Sequence, residues 1–138
     1  VGMTCPIVCG DSADTPEVAA VAGPAVEGVV YVSAFSAEST ADAAVKFVQA
    51  YTAQHDGESP NSNAELAYEA TKMVIYALQN APELTRTSVR DTLATITNLE
   101  LPSGLITVGA DRNPIKGAVI MEYDAAGVSH FVAAVNPN

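Results

Sequence analysis

Three apolar residues closed by a Gly-Asp-Ser turn constrain this chain more than any other stretch. Ile7, Val8 and Cys9 run without a polar break, and Gly10, Asp11 and Ser12 end them. An uninterrupted apolar run between turn residues is the pattern of a strand buried on both faces, as in parallel sheets covered by helices. In open α/β sheets, ligands sit just beyond the carboxyl ends of the strands. The pattern therefore puts Asp11 at a sheet mouth, where two roles are open to it. It caps the helix after the turn, a common duty of Asp, or its carboxylate faces a ligand.

The next residues support a strand-helix-strand unit. Thr15, Pro16 and Glu17 supply a cap, a first-turn proline and an acid that suits the helix dipole. Gly23 and Pro24 end that short helix. Val29 to Val32 is rich in β-branched and aromatic residues and predicts a second buried strand.

After Ser36 to Ser39 the period changes. Ser39 to Asp42 predicts a capping box, and Ala44, Val45, Phe47, Val48 and Tyr51 recur at helical spacing as far as His55 to Gly57. Ser62 to Glu65 predicts a second capping box, opening the longest helix over 63–80. On it Glu65, Glu69 and Lys72 form one charged stripe that reads as the solvated face, with Leu66, Ala70, Met73, Val74, Ala77 and Leu78 enclosed. A third helix is expected over 87–97. A strand over Leu105 to Val108 comes next, and then Val119 to Tyr123 and Val128 to Val132 around the turn Asp124 to Gly127, a hairpin.

With 138 residues, 49% of them apolar and 16% charged, the chain is long enough for a real core. The net charge of −10 repels phosphate, which argues against nucleic acid and anionic membrane as partners. Cys5 and Cys9 are the two cysteines. On one extended strand they stand roughly 13 Å apart, beyond disulfide reach, and read as buried, inert thiols. No phosphate loop, Gly-x-Ser-x-Gly elbow or metal-ligand spacing occurs, so no cofactor, metal or catalytic role is implied. Glu65 with Glu69 reads as a surface stripe rather than an acid/base couple. The two histidines, His55 and His130, read as structural.

A longer series of features carries a resemblance. Val1-Gly2-Met3 precedes a strand that ends in Gly10-Asp11-Ser12, and Ala22-Gly23-Pro24-Ala25-Val26-Glu27-Gly28-Val29-Val30 comes after it. Next are Phe47-Val48-Gln49-Ala50-Tyr51, Pro60, Ala67-Tyr68-Glu69-Ala70 and Val89-Arg90-Asp91-Thr92-Leu93. Ser103-Gly104-Leu105-Ile106-Thr107 and Asp111-Arg112-Asn113-Pro114-Ile115-Lys116 complete it. In this order and spacing the chain resembles the carboxy-terminal part of type I periplasmic solute-binding proteins, the group of the leucine/isoleucine/valine-binding protein of ABC transporters. Val108-Gly109 departs from the aromatic and acid usual in that group.

The resemblance implies an α/β fold: the C-terminal portion of two parallel-sheet lobes with flanking helices, between which the chain crosses three times. Residues 1–35 would belong to lobe two, 36–117 to lobe one, and 118–138 would return to lobe two as a hairpin. Ser33 to Ser36 and Asn113 to Gly117 would be hinge strands. Asp11 matches the acid that takes an amino-acid ligand's ammonium, with Ser12 as a supporting hydroxyl and Phe35 as an apolar wall near the hinge. The implied function is binding a small solute, an amino acid or analogue, by hinge closure and delivering it to a membrane permease, in the periplasm or outside the cell. A sensory ectodomain of the same fold is the alternative. A fragment of this kind would hold part of the cleft and expose half-cores that favour self-association.

Overall fold

A computed structural model describes residues 2 and 4–136. Val1 and Met3 of the matching series, and the last two residues of the return hairpin, lie outside the described residues.

Strand β1 (Val8–Cys9) pairs in parallel with β2 (Val30–Ser33), Val8 opposite Val30 and Cys9 opposite Tyr31. A parallel pair needs a crossover, and helix α1 (Pro16–Ala22) provides it as the sequence predicts. Thr15 accepts from the Glu17 amide, Pro16 opens the first turn, and Gly23 ends the helix at φ 55°. The long hairpin is present too: β6 (Ala118–Tyr123) lies antiparallel to β2, and β7 (Ser129–Val135) lies antiparallel to β6. The sheet order is therefore β1-β2-β6-β7.

Between β2 and β6 the chain makes α2 (Asp42–Gln54), α3 (Ser62–Asn80) and α4 (Arg86–Leu93). A second sheet comes after them, built from β3 (Leu99–Leu101), β4 (Gly104–Val108) and β5 (Pro114–Ile115), all antiparallel. Strand β3 is not foreseen in the sequence, because three residues carry no readable period.

The first sheet's core centres on Tyr31 and Tyr123, whose rings stack with centroids 5.1 Å apart, packed with Ala13, Val26, Val29 and Met121. Gly127 in the β6–β7 turn brings α1 close, since a Cβ there would stand 2.9 Å from Ala19 Cβ. A second cluster, Phe35, Ala44 and Phe47, joins the exit of β2 to α2, with Phe35 and Phe47 edge to face at 5.7 Å.

Several local expectations need correcting. Strand β1 is not buried on both faces: it is the sheet edge, and Val8 is 73% exposed. Cys5 is exposed and Cys9 half-buried, both as free thiols. Neither capping box forms. Helix α2 starts behind Ala41 with no side-chain cap, and α3 is capped by Asn61, whose side chain accepts from the Ala64 amide. The third helix is shorter than its pattern, stopping at Leu93.

The largest reversal concerns α3. Glu65 and Glu69 are buried, at 0% and 3% exposure, while Leu66, Val74, Ile75 and Leu78 stand 39–45% exposed. Helical period identifies which residues share a face but not which face is covered. Here a lysine elsewhere in the chain decides it.

Candidate functional site

Because β1 and β2 run parallel, their carboxyl ends open on the same edge of the sheet. Beyond β1 the chain tightens into a single 3-10 turn over Asp11–Ala13. Asp11 and Ser12 are exposed there, side by side. Helix α1 is capped by Thr15, and among the described residues the Asp11 carboxylate accepts no hydrogen bond. Ala13 beneath it is buried.

The turn is fixed from below. The Ala13 amide donates to the Gly10 carbonyl at 3.1 Å and the Asp14 amide to the Asp11 carbonyl at 3.0 Å. The Tyr123 hydroxyl donates to the Ala13 carbonyl at 2.7 Å. Asp14 is the acid that turns inward. Its Oδ2 accepts from Ser33 Oγ at 2.9 Å and from the Ser62 amide at 3.0 Å, and its Oδ1 accepts from the Tyr31 hydroxyl at 3.2 Å. Burial, above all, holds the Tyr31 phenol far above its ordinary pKa, so it serves as a neutral donor. Sequence reasoning missed Asp14. The available signal is Tyr31, a polar residue inside the strand expected over Val29 to Val32, with Ser33 two positions on, at the strand's observed end.

Phe35 is buried two residues beyond β2 and is not brought into the Asp11 turn. It lines a cavity of about 450 Å³ with Ser36, Glu38, Ser103, Gly117 and Phe131. It also borders a second cavity of about 340 Å³, which Asp14, Asn61 and Ser129 reach. Neither Asp11 nor Ser12 lines either space. The three expected site residues thus split into an exposed pair at the mouth of β1 and an apolar wall at the exit of β2.

Two charged clusters flank these cavities. Glu38 accepts from the Phe131 amide at 3.0 Å and meets His130 Nδ1 at 3.1 Å, while His130 Nε2 meets Asp124 at 3.1 Å. Hydrogen bonds to Asp124 and Glu38 raise the His130 pKa. The Phe131 amide, and then His130, lowers that of Glu38, and the Val128 amide, and then His130, lowers that of Asp124. The second cluster is buried. Lys116 Nζ lies 2.9 Å from Glu69 and 3.7 Å from Glu65, and Glu69 also accepts from the Ser103 amide and hydroxyl at 2.8 and 2.7 Å. Both Glu65 oxygens lack a hydrogen-bond partner among the described residues. Burial first, and then the neighbouring Glu69, push the Glu65 carboxyl up to about 9. Burial also disfavours the charged form of Glu69, but Glu65, Lys116 and Ser103 beside it outweigh that and lower its pKa. At neutral pH Glu65 is the protonated member and Glu69 the charged partner of Lys116.

Among the described residues, no group of three His, Cys, Asp or Glu side chains is placed to hold a metal ion. No described helix is long and apolar enough to cross a membrane.

Comparison with solved structures identifies the fold. A leucine-binding protein, LivK, from Thermotoga maritima MSB8 matches with a TM-score of 0.91 and 28% identity, over 99% of this chain and 39% of that one. LivJ from Streptococcus pneumoniae, a branched-chain amino acid transporter substrate-binding protein solved with isoleucine, matches with a TM-score of 0.83 and 28% identity, over 97% and 37%. An ABC transporter substrate-binding protein from Desulfitobacterium hafniense, in complex with Leu, shares the fold at 22% identity, with a TM-score of 0.81 over 95% and 36%. The chain spans about two fifths of the length of these structures. No curated protein sequence matches it. The α/β architecture is that of a type I periplasmic binding protein. The periplasmic binding protein family model matches residues 2–128, and the chain belongs to that family.

Proposed function

We propose that this chain is the carboxy-terminal part of the solute-binding component of an ABC importer, and that the whole protein binds an amino acid. The observation that carries the reading is Asp11: a carboxylate without a hydrogen-bond partner among the described residues, exposed at the carboxyl end of a parallel strand, on a chain that matches a leucine-binding protein over 99% of its length. A carboxylate in such a place suits an α-ammonium, because a charge-assisted hydrogen bond strengthens as a closing cleft excludes water. Ser12 would add a hydroxyl beside it, and Phe35 an apolar wall where the chain leaves the sheet. The role is binding, with no catalysis and no cofactor.

In this reading residues 1–35 and 118–138 belong to lobe two, and 36–117 to lobe one. Ser33 to Ser36 and Asn113 to Gly117 act as hinge strands. Solute bound between the lobes shifts the population toward a closed form, which a membrane permease recognises. The place of action is the periplasm or the cell exterior. The exposed apolar residues of α3 and β7, Leu78 at 45% and Val135 at 53% among them, would be covered by the rest of the protein. Without it they favour association, so the isolated chain is expected to sediment as a dimer or larger at micromolar concentration. A monomer would contradict that.

The reading is tested by a thermal-shift screen of the full-length protein against amino acids, aromatic acids and short amides. A ligand that binds only the folded state raises the melting point by mass action. Amino acids are expected to shift the native protein and to lose that shift in Asp11→Ala. Equal shifts in both proteins would remove Asp11 from the site.

A further inference from the structure

We propose that Asp14 is a positioning residue. It locks the turn that presents Asp11 to the first residue of α3, so the ammonium site is held in register across the two lobe segments. The inference rests on Asp11 being the ammonium partner.

Asp14 spends its carboxylate on three donors from two elements. Ser33 and Tyr31 come from β2, and the Ser62 amide opens α3, 48 positions along the chain. The first amides of a helix have no partner within it, and the helix dipole favours a negative charge there. Asn61 satisfies the Ala64 amide, while the Ser62 amide is satisfied by Asp14. On its other side Asp14 closes the Asp11 turn through its own amide. The path from Asp11 to α3 is therefore short: one turn, one carboxylate, one helix end. Tyr31 extends it to β7, its hydroxyl lying 2.5 Å from Ser129 Oγ. Asp14 itself touches the smaller cavity, not the exposed face that Asp11 occupies.

A group that only stabilises the fold would weaken every ligand alike when lost. One that aims Asp11 weakens ligands in proportion to their use of the ammonium. The test measures the affinity of the full-length protein for leucine and for 4-methylpentanoate, which lacks only the amino group. Native protein, Asp11→Ala, Asp14→Ala and Asp14→Asn are compared, with folding checked by circular dichroism. Asp14→Ala is expected to lower leucine affinity about tenfold, the scale of one charged hydrogen bond, and to leave 4-methylpentanoate within about twofold. Asp14→Asn keeps an acceptor oxygen for Ser33 and Ser62 and should recover part of the loss. If Asp14→Ala does not fold, Ser33→Ala removes one of the three bonds and should show a smaller loss of the same selectivity. Equal weakening of both ligands, or none, overturns the inference while the Asp11 reading stands. If native protein shows no preference for leucine, or Asp11→Ala keeps it, both fall together.

Discussion

Replacing Lys116 with Met is expected to destabilise the protein by about 3–5 kcal/mol, the cost of stripping a buried ion pair of one partner. Lys116 is the cation closest to Glu69, 2.9 Å away, and the side chains of Glu65 and Glu69 are 0% and 4% exposed. Without the lysine, Glu69 keeps its two bonds from Ser103 but is left a buried charge that has lost its cation. The same lysine sits between β5 and β6, where the second sheet hands the chain back to the first. Its loss therefore loosens α3 from that connection as well. Urea denaturation reads the loss as a lower midpoint. Adding Glu69→Gln to Lys116→Met should recover more than half of it, because the buried charge goes too. A midpoint that barely moves in Lys116→Met would mean that the pair does not hold α3 in place.

The second large effect is a pH dependence that a single isosteric change should remove. Unfolded, Glu65 titrates near its ordinary value of 4.5; folded, it is pushed up to about 9 by burial and by Glu69. Between those values the folded protein holds one proton more than the unfolded chain, so stability falls as pH rises. The slope reaches at most about 1.4 kcal/mol per pH unit. Glu65→Gln has no proton to lose and imitates the neutral acid. The variant should match the native protein near pH 4 and exceed it progressively toward pH 9. His130 also has a raised pKa, so its contribution is present at low pH and lost as pH rises through the folded value. It is common to both proteins and cancels in the difference. Parallel stability curves for native and variant would show that Glu65 is charged in the folded state.

The range of each force decides which parts of this protein are legible in its sequence. The α1 boundaries were readable because Thr15, Pro16 and Gly23 act on the backbone beside them. The β6–β7 hairpin was readable because alternation and the Asp124 to Gly127 turn are local too. The position of Asp11 came from one short run and its turn, even though that strand proved to be an exposed edge. Three things were hidden, each by a distant partner. Glu65 and Glu69 look like a solvated stripe until Lys116, 47 residues beyond Glu69, is placed against them. Asp14 looks like one more turn acid until β2 and the start of α3 converge on it. The Ser62 to Glu65 capping box fails because Asn61 takes the cap and Glu65 is drawn inward. Local chemistry thus predicts the turn that carries Asp11, while partners distant in sequence arrange the frame around it.

Titration calorimetry with leucine and 4-methylpentanoate, on the native full-length protein and on Asp11→Ala, addresses the central assignment most directly. If the Asp11 carboxylate takes the ammonium, native protein prefers leucine by about tenfold to a hundredfold, the worth of a charged hydrogen bond in a closed cleft. Asp11→Ala then binds the two ligands alike. An alanine variant that still prefers leucine as strongly as the native protein would contradict the assignment and move the ammonium site elsewhere.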